Sequence, residues 1–392
     1  MHDLRAMPLL ATAGFASMVS MRVCDAMLPA LAQAFSSDTA HAARVISAFA
    51  LAYGLLQLAY GPLGDRFGKP LVITMATFAC SAAALVAALS PTLDVLTLCR
   101  AAMGATAAGI IPLTMAWIGD QVSYEHRQEV LARLLGSTVL GMMAGSWAGG
   151  LITQAFGWRA AFLLVAALFA IPALALSIGH LRGRPPRHSL SRSSYFQQVS
   201  DVLGAPWARR VLAVAFAEGA LVFGALAFVP SMLHERFELS LAGAGAIVAL
   251  FGVGGFVYSR VAGRMLRRLG APTLARLGAA CLALALLTLA AMPHWSLALP
   301  ACLLAGLGFY MLHNTLQTCA TQLSATARGT AVSMFVCALF LGQSGGVSAA
   351  AWVVDRYSPI AWFAVAAPAL LVLGAYFASR LRVHLSLSEA VA

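Results

Sequence analysis

Long apolar runs alternate with short polar gaps along the whole chain. A helix needs roughly 20 apolar residues to cross a bilayer, and by that measure the pattern predicts 12 spanning helices. The predicted spans are 8–33, 42–63, 70–90, 94–118, 130–154, 158–181, 209–233, 241–261, 271–292, 296–318, 330–353 and 360–381. We therefore predict an all-α integral membrane protein, because a helix satisfies its own backbone hydrogen bonds inside lipid.

The first apolar run admits a second interpretation. It follows Arg5 and precedes Ala32-Gln33-Ala34, which is similar to the cleavage site of a secretory signal peptide. The run is too long for the hydrophobic region of such a peptide, and the internal repeat described below includes it. We predict a transmembrane helix here.

One polar stretch, 182–208, is much longer than the other gaps and lies at the midpoint of the chain. It contains several arginines and is too polar to cross the hydrocarbon. We predict a cytoplasmic linker here. It divides the chain into an N-terminal six-helix bundle over 1–181 and a C-terminal six-helix bundle over 209–392.

Composition supports a lipid environment and excludes several classes of protein. Only 10% of the residues are charged and 61% are hydrophobic, whereas a soluble domain carries about 25% charged residues. Basic residues outnumber acidic ones by 25 to 14. Nearly all of them lie in the gaps and form no basic patch interleaved with aromatic residues, so we expect no nucleic-acid partner.

The placement of the basic residues predicts the orientation. With both termini inside, the inner segments hold 19 of the Arg and Lys residues and the outer segments hold 4. Basic residues near membrane spans favour the cytoplasmic side. We therefore expect a multi-pass protein of a bacterial cytoplasmic (inner) membrane, with both termini in the cytoplasm.

The two halves of the chain repeat each other at an offset of 201 to 202 residues. The matching pairs are Gly61 and Gly263, Gly68 and Gly270, Pro70 and Pro272, Gly104 and Gly306, Arg127 and Arg328, Gly141 and Gly342, and Gly145 and Gly346. Duplicated bundles are common in transporters. The repeat predicts two pseudo-symmetric six-helix bundles.

The segment GPLGDRFGKP (61–70) lies in the inner loop between predicted spans 2 and 3. It strongly resembles motif A of the major facilitator superfamily, G-x-L-x-D-R-x-G-R/K-R/K, with Pro70 in place of the last basic residue. The resemblance implies the major facilitator fold and a latch between the bundles in the outward-open state; an ordinary basic loop is the alternative. The predicted latch residues are Gly61, Asp65, Arg66, Gly68, Lys69 and the acid Asp120.

Two further segments fit the same family. Arg100, in LCRAAMGATAAG, looks like the span 4 arginine of motif B, with Met103 in place of a glutamine. That arginine is linked to proton transfer in the family, and the alternative here is a structural arginine bonded to carbonyls.

GMMAGSWAGG (141–150) in predicted span 5 resembles motif C of antiporters, with Ser146 in place of the proline. Its glycines leave one helix face without side chains, so that a neighbouring helix can pack closely against it. The predicted packing residues are Gly141, Gly145, Gly149 and Gly150. A generic face of small residues is the alternative.

Ionisable residues inside the spans are candidates for proton coupling. Arg22 and Asp25 are three residues apart and share a helix face. Asp25 looks like the span 1 acid of drug/proton antiporters, with an interfacial salt bridge as the alternative. Glu218 is the one carboxylate in the interior of a predicted C-terminal span. A proton-carrying or a structural role remains open for it.

Predicted span 10 carries a polar stripe at helical spacing, formed by His313, Asn314 and Gln317. Such a stripe should face a central cavity rather than lipid, although His313 could equally serve packing. The residues that we predict to line the substrate cavity are Tyr53, Met103, Tyr310, His313, Asn314 and Gln317.

The predicted function is proton-coupled efflux of small drug-like or metabolite solutes by alternating access. Asp25, Glu218, Arg100 and Arg22 are the candidates for proton coupling. The expected partners are the small-molecule substrate, protons and the lipid bilayer. No cofactor or metal is expected, since the proton gradient is the energy source, and the fold implies a monomer.

Two other functions remain open. A proton-coupled importer or facilitator of a metabolite would use the same fold. A membrane enzyme or receptor would belong to another class, and an enzyme would need clustered catalytic side chains. The nine histidines are spread along the chain and no HxxxH occurs in the sequence, so we do not expect an enzyme.

Overall fold

The computed structural model describes residues 6–122, 124–180, 192–324 and 327–391, and nearly all of them are helical. The predicted arginine-rich part of the linker, 182–191, and the N-terminal residues 1–5 lie outside the described residues. The described part of the chain contains no strand. This confirms the predicted all-α class.

Between residues 6 and 180, leaving out residue 123, the structure contains nine α-helices and one short 3-10 turn. They are α1 (Met7–Arg22), the 3-10 turn Asp25–Met27, α2 (Leu28–Ala34), α3 (Thr39–Ala42), α4 (Arg44–Phe67), α5 (Lys69–Ala88), α6 (Leu93–Ala107), α7 (Ile110–Gln121), α8 (Tyr124–Phe156) and α9 (Trp158–His180).

The described residues from 192 onwards form seven α-helices and a second 3-10 turn. They are α10 (Arg192–Gly204), α11 (Pro206–Leu226), α12 (Val229–Phe237), α13 (Leu241–Ala291), the 3-10 turn Trp295–Leu297, α14 (Ala298–Ala320), α15 (Arg328–Arg356) and α16 (Pro359–Val391).

Within the described ranges, 11 helical segments are long and apolar enough to cross a membrane. One of them, α13, has 51 residues and contains two of the predicted spans. Its backbone breaks at Gly270, where φ is 73° and ψ is 159°. Only glycine readily adopts this backbone conformation. Gly270 therefore separates predicted spans 8 and 9 by a kink within α13.

Three other spans are interrupted rather than continuous. α1 ends at Arg22 and the chain passes through a 3-10 turn before α2. α6 and α7 are separated at residues 108–109, and α11 and α12 at residues 227–228. Such breaks release backbone carbonyls that must find other donors inside the membrane.

Each half has its own apolar core. One cluster includes Leu28, Phe49 and Phe162, and extends to the break between α11 and α12 and to a few residues of α15. The second includes Phe223, Phe309 and Phe363 and lies in the C-terminal half. The two cores meet where α4 packs on α15 and where α8 packs on α13.

Glycine-to-carbonyl contacts recur at equivalent places in the two halves. A Cβ at Gly104 would overlap the carbonyl of Phe49, and a Cβ at Gly306 would overlap that of Phe251. The offset is 202 residues for both members. In the same way the α8 glycine Gly141 lies against the Phe15 carbonyl of α1, and Gly342 of α15 lies against the Phe216 carbonyl of α11. The sequence repeat is therefore also a repeat of helix packing.

The described end of the predicted linker forms a helix, α10, that contacts both halves. The Tyr195 hydroxyl donates to the Leu58 carbonyl of α4 at 2.6 Å. The side chain of Gln198 accepts from Thr330 of α15 at 2.7 Å. α11 begins at Pro206, inside the predicted linker range. We call the end of the bundle that carries α10 the linker end, and the opposite end the far end.

Candidate functional site

Arg22 and Asp25 form an ion pair inside the first span. The Nη1 atom of Arg22 lies 3.0 Å from Oδ2 of Asp25, and the two side chains are 4% and 0% exposed. The pair straddles the point where α1 gives way to the 3-10 turn. The other carboxylate oxygen, Oδ1, is buried without a hydrogen-bond partner.

Arg100 of α6 is fully buried next to the same break. The last backbone hydrogen bond that continues α1 runs from the N–H of Val23 to the carbonyl of Val19. The carbonyl of Ser20 accepts instead from Arg100 Nη1 at 2.8 Å. The Nε atom donates to the Val45 carbonyl of α4 at 3.2 Å. These contacts match the structural alternative for Arg100, in which the arginine is bonded to carbonyls.

Glu218 of α11 pairs with His313 of α14. The Nδ1 atom of His313 lies 2.9 Å from Oε2 of Glu218, and the side chains are 14% and 0% exposed. The second oxygen, Oε1, is buried without a partner. Sequence reasoning named both residues but missed the pairing, since 95 residues separate them and no local pattern joins α11 to α14.

Three phenylalanines connect the two ion pairs across the contact between the halves. The guanidinium carbon of Arg22 lies 4.8 Å from the ring centre of Phe223. The ring centre of Phe223 lies 5.3 Å from that of Phe309, and the Phe309 ring stacks on His313 at 4.8 Å. Phe251 packs against both phenylalanines. We call Phe223, Phe251 and Phe309 the aromatic bridge.

A small void lies beside Arg22, between the two halves, with a volume of about 10 Å³. That volume is close to the minimum for one water molecule. Its lining comes from both halves and is mostly apolar. The lining residues are Arg22, Met142, Met143, Ser146, Leu226, Val248, Ala249, Phe251 and Gly252.

The two halves are tightly closed at the far end. Every residue of 16–28 and of 222–233 is buried. Across the contact, the carbonyl of Ser146 lies against Gly245. At the tips, Thr39 donates to Glu235 at 3.1 Å.

Towards the linker end, by contrast, α1 and α11 carry exposed positions such as Pro8, Ala213 and Phe216.

The residues predicted to line a cavity occupy different environments. Tyr53 is buried, and its ring centre lies 4.4 Å from that of Phe340 across the α4–α15 contact. Met103 is fully buried in the core of the N-terminal half. Tyr310 and Asn314 are half-buried and Gln317 is exposed, all on α14.

The motif A segment makes its ionic contact within the N-terminal half. Lys69 of α5 forms an ion pair with Asp120 of α7. The guanidinium carbon of Arg66 lies 5.1 Å from the ring centre of Phe67. In the part of the chain that the structure describes, Asp65 has no hydrogen bond or ion pair. Gly68 has a φ of 91° and ends α4, while Gly61 lies in open space.

The glycines of α8 face two different partners. Gly145 lies against the carbonyl of Val19 of α1 and Gly149 against that of Val23, directly after α1, as Gly141 does against Phe15. Gly150 instead lies against the Leu241 carbonyl of α13, in the other half. The helix thus packs on the broken first span with one face and closes the far end with another.

The repeated helical halves and the ionised groups buried between apolar helices define a membrane transporter. The family model described as Major Facilitator Superfamily matches residues 10–347. The chain belongs to that superfamily, which confirms the resemblance found in the sequence. As a member of a transporter family it is a multi-pass membrane protein and not an enzyme.

Several curated proteins are similar to this chain. It is 25% identical over 255 residues to the uncharacterized MFS-type transporter YwfA of Bacillus subtilis, a match that covers 63% of this chain and 60% of YwfA. It is 24% identical over 334 residues to the transporter YceJ of the same bacterium, with 83% of each chain covered. It is 24% identical over 282 residues to the chloramphenicol resistance protein of Pseudomonas aeruginosa, covering 69% and 64%.

Solved structures show the same fold. A bacterial homologue of the human lysosomal transporter Spinster, in an inward-facing and unoccupied conformation, aligns with a TM-score of 0.74 at 17% identity. The alignment covers 96% of this chain and 97% of that one. At this identity the likeness concerns the fold alone.

Proposed function

We propose that this transporter is a proton-coupled antiporter that exports small drug-like or metabolite solutes. The observation that carries the proposal is the state of the two buried acids. Asp25 and Glu218 each bind a basic partner through one oxygen and leave the other oxygen unpartnered. A carboxylate in this setting can accept a proton on the free oxygen.

Protonation would change the contacts that hold the halves together. A proton on Asp25 weakens its attraction for Arg22, and Arg22 also lies on Phe223 of the other half. A proton on Glu218 acts in the same way on His313, which stacks on Phe309. Because the aromatic bridge joins both pairs, proton binding in either half alters the contact between the halves.

Alternating access then follows from rocking of the two halves around the cleft. The membrane potential supplies roughly 2.3 kcal/mol for each proton charge that moves through 100 mV. Arg100 supports the broken segment that carries Asp25 and is a positioning residue in this scheme. Lys69 and Asp120 support the loop of motif A at the linker end.

We also propose that the linker end faces the cytoplasm of a bacterium and that the protein lies in the cytoplasmic (inner) membrane. The excess of arginines at that end supports this orientation. The structure, closed at the far end, is then the state that is closed to the outside. The direction of efflux is supported by the relatives named as antibiotic resistance proteins.

Transport into inverted membrane vesicles tests the proposal, with chloramphenicol as the first probe. Vesicles energised acid-inside should accumulate the probe, and Asp25→Asn and Glu218→Gln should abolish that accumulation. Asp94→Asn is the matched control, because Asp94 lies in a surface ion pair with an 83% exposed side chain. Downhill uptake of the probe that does not depend on the pH gradient would instead identify a facilitator and overturn the proposal.

A further inference from the structure

The buried charges of the transporter cancel one another. Among the described residues, the buried charged side chains are Arg22, Asp25, Arg100 and Glu218. Two are cations and two are anions. His313 pairs with Glu218, so neither acid stands alone.

This charge balance disfavours a cationic substrate. An organic cation entering the cleft would need an uncompensated anion, since an unpaired charge is costly inside the membrane. Asp25 is already bonded to Arg22. The face of Phe223 is also covered by Arg22, so the ring that could bind a second cation by a cation–π contact is occupied.

An anionic substrate is disfavoured for a related reason. In exchange for protons, the substrate binds while the acids are ionised. Arg22 is then neutralised by Asp25, and Arg100 donates to the carbonyls of Ser20 and Val45. The Nη2 atom of Arg100 has no hydrogen-bond partner, but Arg100 is fully buried and does not line the void beside Arg22. An anion in that void would therefore meet Arg22, which is already paired with Asp25, and no unpaired cation.

In this closed state the void between the halves has room for about one water molecule, but its lining would present a mostly apolar surface to a solute once the halves part. Met142 and Met143 present flexible thioethers, which adapt to irregular ligands and contact aromatic rings favourably. Phe251 adds an aromatic wall, and Ser146 adds one hydroxyl. The site therefore offers much apolar contact with a small number of directional donors.

We propose that the transporter selects electrically neutral aromatic amphiphiles, and that Arg22 acts as the residue that excludes cations by compensating Asp25. This inference rests on the proposed function, since it concerns which solutes the same cleft exchanges for protons. It predicts a change of selectivity, and not only a loss of transport, when the charge of Arg22 is removed.

The test uses the full chain reconstituted in proteoliposomes with an acid interior. Three probes are compared: chloramphenicol as the neutral aromatic compound, tetraphenylphosphonium as the cation and benzoate as the anion. The wild type should accumulate chloramphenicol about tenfold or more above the two ions, because an uncompensated or like charge in the site costs several kcal/mol. This comparison does not depend on any variant.

Variants at Arg22 provide the second measurement. Arg22→Gln should raise accumulation of tetraphenylphosphonium about tenfold relative to wild type, since it leaves Asp25 uncompensated. Arg22→Lys keeps the charge and should not. Size-exclusion chromatography in detergent establishes that each variant is folded before transport is measured.

The outcomes separate the two proposals. If wild-type protein accumulates tetraphenylphosphonium or benzoate as strongly as chloramphenicol in response to the proton gradient, the inference on charge is wrong and the proposed antiport stands. If the Arg22→Gln protein is folded but transports no more tetraphenylphosphonium than wild type, Arg22 does not exclude cations. If the gradient drives none of the three probes, both proposals fail together.

Discussion

Arg100 donates a hydrogen bond of 2.8 Å to the carbonyl of Ser20, at the place where the first span loses its α-helical bonding. The guanidinium thus replaces a backbone donor that the break removes. Through this bond α6 holds the segment that carries both Arg22 and Asp25. Arg100 therefore helps to position Asp25, although the two side chains are not hydrogen-bonded to each other.

Substituting Arg100 should destabilise the protein and disturb the first span. Arg100→Leu leaves the carbonyl of Ser20 unpartnered, which costs roughly 1–3 kcal/mol for a buried group. Arg100→Lys should cost less, because the ammonium can still donate one bond. Thermal unfolding in detergent ranks the two variants by stability. Equal stability of Arg100→Leu and wild type would contradict the contact.

The ion pair of Arg22 and Asp25 should show strong coupling in a double-mutant cycle. Arg22→Met alone leaves a buried carboxylate without its partner and should cost about 3–5 kcal/mol. Combining Arg22→Met with Asp25→Leu should recover most of that loss, since both charges are then absent. Unfolding free energies of the four proteins measure the coupling. Additive effects would mean that the pair contributes nothing beyond its separate side chains.

The repeated glycine contacts predict equivalent penalties in the two halves. Gly104→Ala and Gly306→Ala each place a Cβ against a backbone carbonyl, and overpacking of this kind costs about 1–3 kcal/mol. Gly136→Ala is the control, because nothing lies within 4 Å of its Cβ position on α8. That change should be neutral or stabilising by up to about 1 kcal/mol. Melting temperatures of the three variants are sufficient for the comparison.

The break in α13 predicts that Gly270 tolerates no side chain. Gly270→Ala forces a residue with a Cβ to adopt φ near 73° and ψ near 159°, a strain of about 1–3 kcal/mol. Gly263→Ala, about two turns earlier in α13, meets only Arg267 at 3.6 Å and should leave the stability unchanged. If the two variants unfold at the same temperature, the break does not depend on glycine.

The proposed orientation can be checked with fusions at two positions. Green fluorescent protein fused after residue 391 should fluoresce, because the end of α16 belongs to the linker end. Alkaline phosphatase fused at Pro293, in the turn after α13, should be active, because that turn lies at the far end. The opposite pattern of activities would reverse the topology and the direction assigned to the closed state.

Much of the fold follows from the sequence alone, because lipid imposes one simple rule on length and hydropathy. The family membership, the all-α class and most spans could be predicted on that basis. The interruptions near residues 23–27 and 227–228 could not. Neither break coincides with a glycine or proline, and tertiary contacts such as the bond from Arg100 to Ser20 satisfy the backbone that the first break exposes.

The candidate site was only partly visible in the sequence. Arg22 and Asp25 could be paired because three residues along a helix bring side chains together. The pairing of Glu218 with His313 depends on how α11 packs on α14, and nothing in either segment encodes that neighbour. Tyr53 was named from its position in the fold, but its contact with Phe340 required the structure.

The helix α10 attaches to one half through Tyr195 and to the other through Gln198. A strap fastened on both sides limits how far its anchors can separate without releasing one of them. Wide opening at this end would have to break one of these two hydrogen bonds. The two bonds would then limit the stroke of the transporter, and removing either of them should widen the motion before it affects the binding of any solute.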